Sequence, residues 1–329
     1  MGIVKKAIGK FSGLKIFHSN VNIAPAYHIV SNEKVSHVRH LYSYKNMDQF
    51  EEDLRYLQKH YQVVSPDKFD EFHLKHQKKC IISFDDGLVE NYTVILPLLE
   101  KYKFKAVFFI NPSFIDNACF LNKHLKSILI EELSKSPNNQ TILGKIGLKN
   151  TKNLKTDIFN RELSNDLISD LFDDLGFDFK NYLQKHPVYM NLNQIQELID
   201  KGHFIGVHTM THPYLNKLSE EEQFVEITDS LLWIKQHFKV SYTLFSFPYS
   251  DRFASKQLIR RLENWDNNII IFGNSGYKKD VSKRIVQRFS AEKPIVPLRN
   301  NISTEFIYMY YNKLAGNFKI NFQQIYIKD

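Results

Sequence analysis

Two hydrophobic patterns alternate along this chain. Residues 106–110, Ala-Val-Phe-Phe-Ile, are apolar at every position, as a strand covered on both faces must be. Residues 46–61 instead space Phe50, Leu54 and Leu57 along one helical face. Asn46 is placed as an N-cap there, ahead of the acidic first turns Asp48, Glu51, Glu52 and Asp53. The same alternation predicts strands at 24–30, 62–64, 80–84, 203–207, 243–247, 268–272 and 284–289. Between them it predicts helices from Ser65, through Tyr92, Ile95 and Leu99 despite Pro97, at 191–201 closed by Gly202, and at 255–262 and 304–314. Ser219 and Glu222 form a capping box for a further helix that runs to about Phe238. Strand and helix in turn mean a parallel sheet or barrel.

Residues 111–188 break this rhythm. Helix-like patches at 121–133 and 165–175 flank polar breaks around 136–140, and the span is too long for a connection in a compact unit. It is expected to be an inserted, mostly helical segment, possessed by one barrel-like domain over 24–329 with no internal repeat and no low-complexity linker. Residues 1–23 stand apart. There Ile3, Ala7, Ile8, Phe11 and Leu14 recur at helical spacing among Lys5, Lys6, Lys10 and Lys15. Two readings of this basic amphipathic helix stay open: packing on the domain, or peripheral contact of residues 2–17 with an anionic membrane surface.

Composition changes this picture little. With 43% hydrophobic and 24% charged residues, the 329-residue chain has ample material for a core and does not belong to the disordered class. A net charge of +8, spread over the chain, reads as a solvated lysine-rich surface and not as a nucleic-acid site. Two cysteines, Cys80 and Cys119, build no disulfide framework and are expected in the core, which favours a reducing compartment. No apolar run approaches the roughly 18–20 residues of a membrane span, and the first residues lack the apolar centre of a secretory signal. The expected location is cytoplasmic, with the inner membrane face as the place of any peripheral contact.

Chemistry gathers at strand ends. Asp85 and Asp86 follow the strand 80–84, His208 and His212 follow 203–207, Tyr249 follows 243–247, and the turn Gly273–Gly276 follows 268–272. In a parallel α/β architecture all these ends open on one face, so residues distant in sequence converge there. Two imidazoles with one carboxylate are a well-used ligand set for a divalent metal with open positions. One of Asp85 and Asp86 completes that set, and the other is left as a base for a metal-bound water. His60, His73, His76 and His237 lie in helical or surface contexts and are set aside.

Ser83-Phe84-Asp85-Asp86-Gly87 followed by His208-Thr209-Met210-Thr211-His212-Pro213 resembles the first two motifs of the polysaccharide deacetylases, the NodB-homology enzymes of carbohydrate esterase family 4. Lys105-Ala106-Val107-Phe108-Phe109 and Gly202-His203-Phe204-Ile205-Gly206-Val207-His208 are similar to that family's strands, in the same order, so the resemblance covers roughly 24–110 and 187–290. It implies a distorted (β/α) barrel of about seven strands with a divalent metal, usually zinc, at its rim. Asp85 would be the general base, and Asp86, His208 and His212 would hold the metal. Phe247-Pro248-Tyr249 resembles the third motif, where the backbone N–H at the tyrosine position helps hold an oxyanion. Pro248 and Tyr249 are thereby candidate substrate contacts.

Two positions depart from the family. Ser246 stands where an arginine commonly pairs with the catalytic aspartate, and Arg288 on the last strand is expected to supply that charge. No histidine follows His237, so the family's late proton-donating histidine has no counterpart, and His28 is the candidate donor or substrate contact. The implied activity is removal of an N-acetyl group from a sugar of a cell-surface glycan or its precursor. A deformylase or other C–N hydrolase acting on a lipid-linked sugar is the neighbouring reading, and a carbohydrate-binding protein without turnover is the non-enzymatic one.

Overall fold

A computed structural model describes residues 21–72, 78–137, 139–148 and 153–320, so the N-terminal amphipathic segment lies outside the described residues. Ten strands follow in chain order: β1 (Pro25–Tyr27), β2 (Gln62–Val63), β3 (Lys79–Cys80), β4 (Ser83–Phe84), β5 (Val107–Ile110), β6 (Phe204–Val207), β7 (Leu244–Ser246), β8 (Ile270–Gly273), β9 (Ile285–Gln287) and β10 (Phe289–Ser290). Eight of them form one sheet in the order β10-β1-β4-β5-β6-β7-β8-β9, every neighbouring pair parallel. The two outer strands are a single run of chain broken only at Arg288. Ile285 pairs with Ile271 on one side, and Phe289 pairs with Pro25 on the other. One split strand therefore joins both edges, and the sheet closes into the expected distorted barrel.

Alternation of side chains along each strand sorts the core into two clusters. Val107, Phe109, Leu244, Ile270, Phe272 and Val286 meet in one, inside the barrel. Their sequence neighbours Phe108, Phe245, Ile271 and Ile285 belong to the other, beneath the surrounding helices. The same parity carries Ser83, Ser246 and Arg288 inward above Phe109 and Phe272, with the Arg288 guanidinium 5.2 and 6.0 Å from those ring centres. The barrel is apolar within and polar at one mouth.

Most helices begin where their caps were read. α1 (Met47–His60) and the long helix Glu220–Phe238 carry full capping boxes from Asn46 and Ser219. Pro97 sits in the first turn of α2 (Leu96–Tyr102), where a missing N–H breaks no bond, after a π-helical turn over Asn91–Ile95. The strand expected at 80–84 is two pieces. β3 pairs with β2 and β4 joins the barrel, while Ile81 and Ile82 between them enter opposite clusters. The closing helix starts at Leu298 rather than at Thr304, because the Leu298 amide is held by Asp53 Oδ1 at 3.1 Å. Asp53 also takes the buried Lys45 ammonium and the Tyr27 hydroxyl, tying α1, β1 and the last helix together.

The insert leaves between β5 and β6 without disturbing their four-residue ladder. Its main helices, α3 (Asn122–Lys135) and α4 (Asn165–Asp174), have a core of their own built from Leu125, Ile128, Leu133, Ile168 and Phe172 and seated on Ile29, Val38 and Leu88 of the barrel rim. Cys80 is buried as expected, but Cys119 is exposed, since the left-handed residues Asp116 and Asn117 turn the chain outward ahead of it. No described helix is long and apolar enough to cross a membrane.

Gly206 shows how tightly the barrel is filled. A Cβ there would stand 2.5 Å from the Phe109 ring and 2.9 Å from the Leu244 carbonyl oxygen. Gly206→Ala is expected to cost about 1–3 kcal/mol, the usual penalty of overpacking, read as a lower urea midpoint. An unchanged midpoint would mean that β6 has slack the packing does not show.

Candidate metal and catalytic centre at the barrel mouth

His28 follows β1, Asp85 and Asp86 follow β4, His208 follows β6, Ser246 ends β7, Gly273 ends β8, and Arg288 divides β9 from β10. Unusual backbone turns aim these residues. Asp86, Thr209, His212 and Tyr249 all adopt φ between 55° and 71°, the left-handed region, and Thr209 is β-branched, for which that conformation is costly. Asn111 holds the strained turn by donating its side-chain amide to the His208 and Thr209 carbonyls at 2.5 and 3.0 Å. Glu226 accepts the Met210 and Thr211 amides at 3.0 Å each. At the first motif, Gly87 has φ 64° and lies against Ile110, which a Cβ would meet at 3.1 Å. Adjacent residues of a regular strand point to opposite faces. The turn at Asp86 instead brings both carboxylates to His208 Nε2, Asp85 Oδ2 at 3.9 Å and Asp86 Oδ1 at 3.7 Å.

Asp86, His208 and His212 are all buried and offer donor atoms within 4.8 Å of one another. Two observations show that this set fits a divalent cation. Asp86 Oδ1 is buried with no hydrogen-bond partner, though His212 Nε2 stands 3.3 Å away. His208 Nδ1 donates to the Ser246 carbonyl at 2.9 Å, which leaves the lone pair of Nε2 facing the carboxylates. Burial, partly offset by Asp85, lowers the His208 pKa to about 4, so the ring is neutral and able to ligate at neutral pH.

Asp85 is held differently. Arg288 Nη1 and Nη2 donate to its two oxygens at 2.7 and 2.9 Å. Arg288 is itself fully buried: Nη1 also donates to Ser83 Oγ at 3.1 Å, Nη2 shares its remaining N–H between Asn274 Oδ1 at 2.8 Å and Ser246 Oγ, and Nε faces the Gly273 carbonyl at 3.5 Å. Burial alone would raise the Asp85 carboxyl, but the guanidinium outweighs it and leaves the group below the ordinary carboxylate range. Ser246 is the complement of this arrangement: a small hydroxyl leaves room for an arginine arriving from the last strand. Asp85 is thus ionised and engaged by Arg288 through both oxygens, whereas Asp86, His208 and His212 face one another.

His28, half-buried, faces Glu292 with Nδ1 3.0 Å from Oε2, while Glu292 Oε1 accepts the His28 amide at 2.5 Å. Burial opposes a charge on the ring, yet Glu292 overcomes it and pushes the pKa up to about 10. Tyr249 sets its ring edge against His212 at 4.5 Å between centres and stacks on Tyr214 at 4.1 Å. A cleft of about 1620 Å³ gathers Asp85, Asp86, His208, His212, Tyr249, Arg288 and His28, but Pro248 is not among its lining residues. Glu292 and His124 escaped the sequence reading. His124 lines the cleft from α3, its Nδ1 2.8 Å from the Tyr189 hydroxyl, and burial lowers its pKa to about 3. Neither belongs to a motif, and only the folded chain brings them to the mouth.

The sequence profile of the polysaccharide deacetylase family matches residues 74–141 and 160–267, more than half of the chain. No protein of curated function matches by sequence. Three solved structures are similar in fold. The Streptococcus pyogenes deacetylase PplD, in complex with acetate, is 14% identical over 86% of this chain and 97% of its own, with a TM-score of 0.57. A polysaccharide deacetylase from Bacillus cereus is 11% identical over 86% and 68%, with a TM-score of 0.55. A de-N-acetylase from Aggregatibacter actinomycetemcomitans is 16% identical over 85% and 98%, with a TM-score of 0.50. At such identities the likeness establishes the barrel.

Arg288→Met keeps the stem and removes the charge. Asp85 then becomes an uncompensated buried carboxylate, and the chain should lose about 3–5 kcal/mol at neutral pH in urea denaturation. With the arginine, the depressed Asp85 pKa adds stability that is present above the unfolded carboxylate pKa and lost as pH falls through the folded value. The deficit of the variant should accordingly shrink on acidification, while its Asp85 titration, followed by carbon-13 NMR, moves upward. A titration that stays in place would show that something other than Arg288 holds Asp85.

Proposed function

The chain belongs to the polysaccharide deacetylase family, and from that premise we propose that it is a metal-dependent hydrolase removing the N-acetyl group from a sugar of a cell-surface glycan or its precursor. Membership makes it a hydrolase of the amide C–N bond of N-acetylated sugars. The observation that carries the finer reading is the division of labour at the barrel mouth: Asp86, His208 and His212 converge while Asp85 stands apart on Arg288. A metal held by the three, zinc in the simplest case for this donor set, supplies a Lewis acid that polarises the acetamide carbonyl and lowers the pKa of water. Asp85, ionised and oriented by the arginine, takes a proton from the attacking water. The backbone N–H at Tyr249 is the donor we assign to the developing oxyanion, and the Tyr249 ring walls the site beside His212. His28, kept protonated by Glu292, donates to the leaving nitrogen as the C–N bond breaks, so acetate and a free amine result.

That last assignment bears on the non-enzymatic alternative. A carbohydrate-binding protein without turnover was favoured only by the missing late histidine, and the His28–Glu292 pair offers a donor in the same cleft.

Acetate release from an N-acetylglucosamine oligomer tests the proposal. Asp85→Asn is expected to keep bound metal and lose about a hundred-fold or more in kcat, whereas His208→Ala should lose the metal itself by elemental analysis. Acetate at the native rate from Asp85→Asn, or full metal in His208→Ala, would sink the assignment. Formate released from an N-formylated sugar in preference to acetate would convert the reading to a deformylase.

Because the protonated form of His28 is the one that acts, activity should fall on the alkaline side as pH passes its pKa of about 10. Glu292→Gln removes what raises that value, so the alkaline limb should move to lower pH. If the limb is unmoved, the proton comes from elsewhere.

A further inference from the structure

The far wall of the cleft is strongly basic, and the reading above does not use it. Lys123 and Lys126 reach it from α3, Lys155 and Arg161 from the short helix Leu154–Asn160 and its end, and Lys217 from the turn Leu215–Lys217. Against these five cations the same wall carries one carboxylate, Glu162. Among the described residues none of the five has a carboxylate within 4.0 Å, whereas elsewhere on the chain Lys101, Lys105, Lys145 and Lys235 each do. Lys126 is only 6% exposed, and the partner of its ammonium is the Arg161 carbonyl oxygen, 2.6 Å away. Like charges gathered around one cavity repel each other, and a buried ammonium without a counterion is costly.

The wall is connected to the reacting centre. From Asp86 the contacts run to His212, to the Tyr249 ring, to the Tyr214 ring stacked on it, and to Lys123, whose ammonium stands 4.2 and 5.0 Å from the two ring centres. The Lys217 ammonium lies 5.7 Å from the centre of the Tyr214 ring. Tyr214 is 38% exposed, an aromatic platform between the metal ligands and the cations. The cleft, at about 1620 Å³, exceeds the roughly 300–1,000 Å³ of ordinary small-molecule sites and has room for a sugar with a large substituent.

Resting on the deacetylase reading, we propose that the substrate is an N-acetylated sugar bearing a phosphate or diphosphate, with its acetamide at the metal ligands and its phosphate on Lys155, Lys217 and their neighbours. A single carboxylate would be satisfied by one or two of these side chains. Five cations with no carboxylate partner among the described residues, Arg161 donating only to the Gly147 carbonyl at 3.0 Å, match the higher and more dispersed charge of a phosphate group, which lysine binds as a point charge. A sugar nucleotide and a sugar on a polyprenyl diphosphate present the same chemistry at this wall.

The test compares one N-acetylated sugar in three forms: a neutral oligosaccharide, a nucleoside diphosphate sugar, and a polyprenyl diphosphate sugar in detergent micelles. The full chain with metal should favour a phosphorylated form by about a hundred-fold in kcat/KM, carried by KM, and the better of the two identifies the source of the phosphate. Lys155→Gln/Lys217→Gln, at two exposed positions, should cut that preference about ten-fold or more. Equal use of the neutral sugar, or a preference untouched in the double variant, overturns the proposal. Calorimetric binding of inorganic diphosphate separates it from the reading it rests on. Since diphosphate also ligates metals, the quantity read is the weakening in the double variant, again about ten-fold. That weakening with no acetate from any of the three substrates keeps the phosphate site and removes the deacetylase assignment. Acetate from the neutral sugar alone does the reverse.

Discussion

The buried contact between Arg288 and Asp85 is the constraint that the rest of the mouth obeys. A guanidinium removed from water is tolerated only when its donors are matched, and here they meet both oxygens of Asp85, two serine hydroxyls and an asparagine carbonyl. Those partners come from β4, from β7 and from the turn after β8. One side chain therefore stitches together strands on opposite sides of the opening, at the residue where the last strand passes from one barrel edge to the other. The contact that closes the barrel is also the one that keeps Asp85 ionised despite its burial.

Around this pair the molecule divides its stiffness. Asp85, Asp86, His208 and His212 lie just past the ends of short strands whose inner faces are packed phenylalanine, isoleucine and leucine, and the strained turns at Asp86, Thr209 and His212 are sustained by that packing and by Asn111 and Glu226. Four of the five cations of the basic wall stand on the insert, which has a hydrophobic core of its own, and Lys217 stands on the turn after β6. Atoms that need sub-ångström placement thus sit on the barrel, and charges that act over longer distances sit on the appended helices.

Much of this was legible because local chemistry and global fold agree. The capping residues Asn46 and Ser219, the all-apolar run that becomes β5, and the acidic and histidine strand ends were each readable within a few residues. Arg288 could be matched to Asp85 since a serine at position 246 left a charge unaccounted for, and the strand parity delivers it. Elements set by distant contacts were not legible. The division of 80–84 into β3 and β4 depends on which ladder each half joins, and the early start of the last helix depends on Asp53, 245 residues upstream. Glu292 and His124 carry no motif, because their relevance lies in what the fold sets beside them.

The closure by one split strand also has a consequence for the order in which the molecule is made. Asp85 waits 203 residues for its arginine, and the His28 amide waits 264 for its carboxylate. Contacts of such span bring a large loop-closure entropy and form late. Asp86, His208 and His212 leave the ribosome well before Arg288 does, at a synthesis rate of about 5–20 residues per second. During that interval Asp85 has no guanidinium beside it and His28 no carboxylate. A chain truncated before residue 288 would lack both the guanidinium that holds Asp85 and the strand that joins the two edges of the sheet.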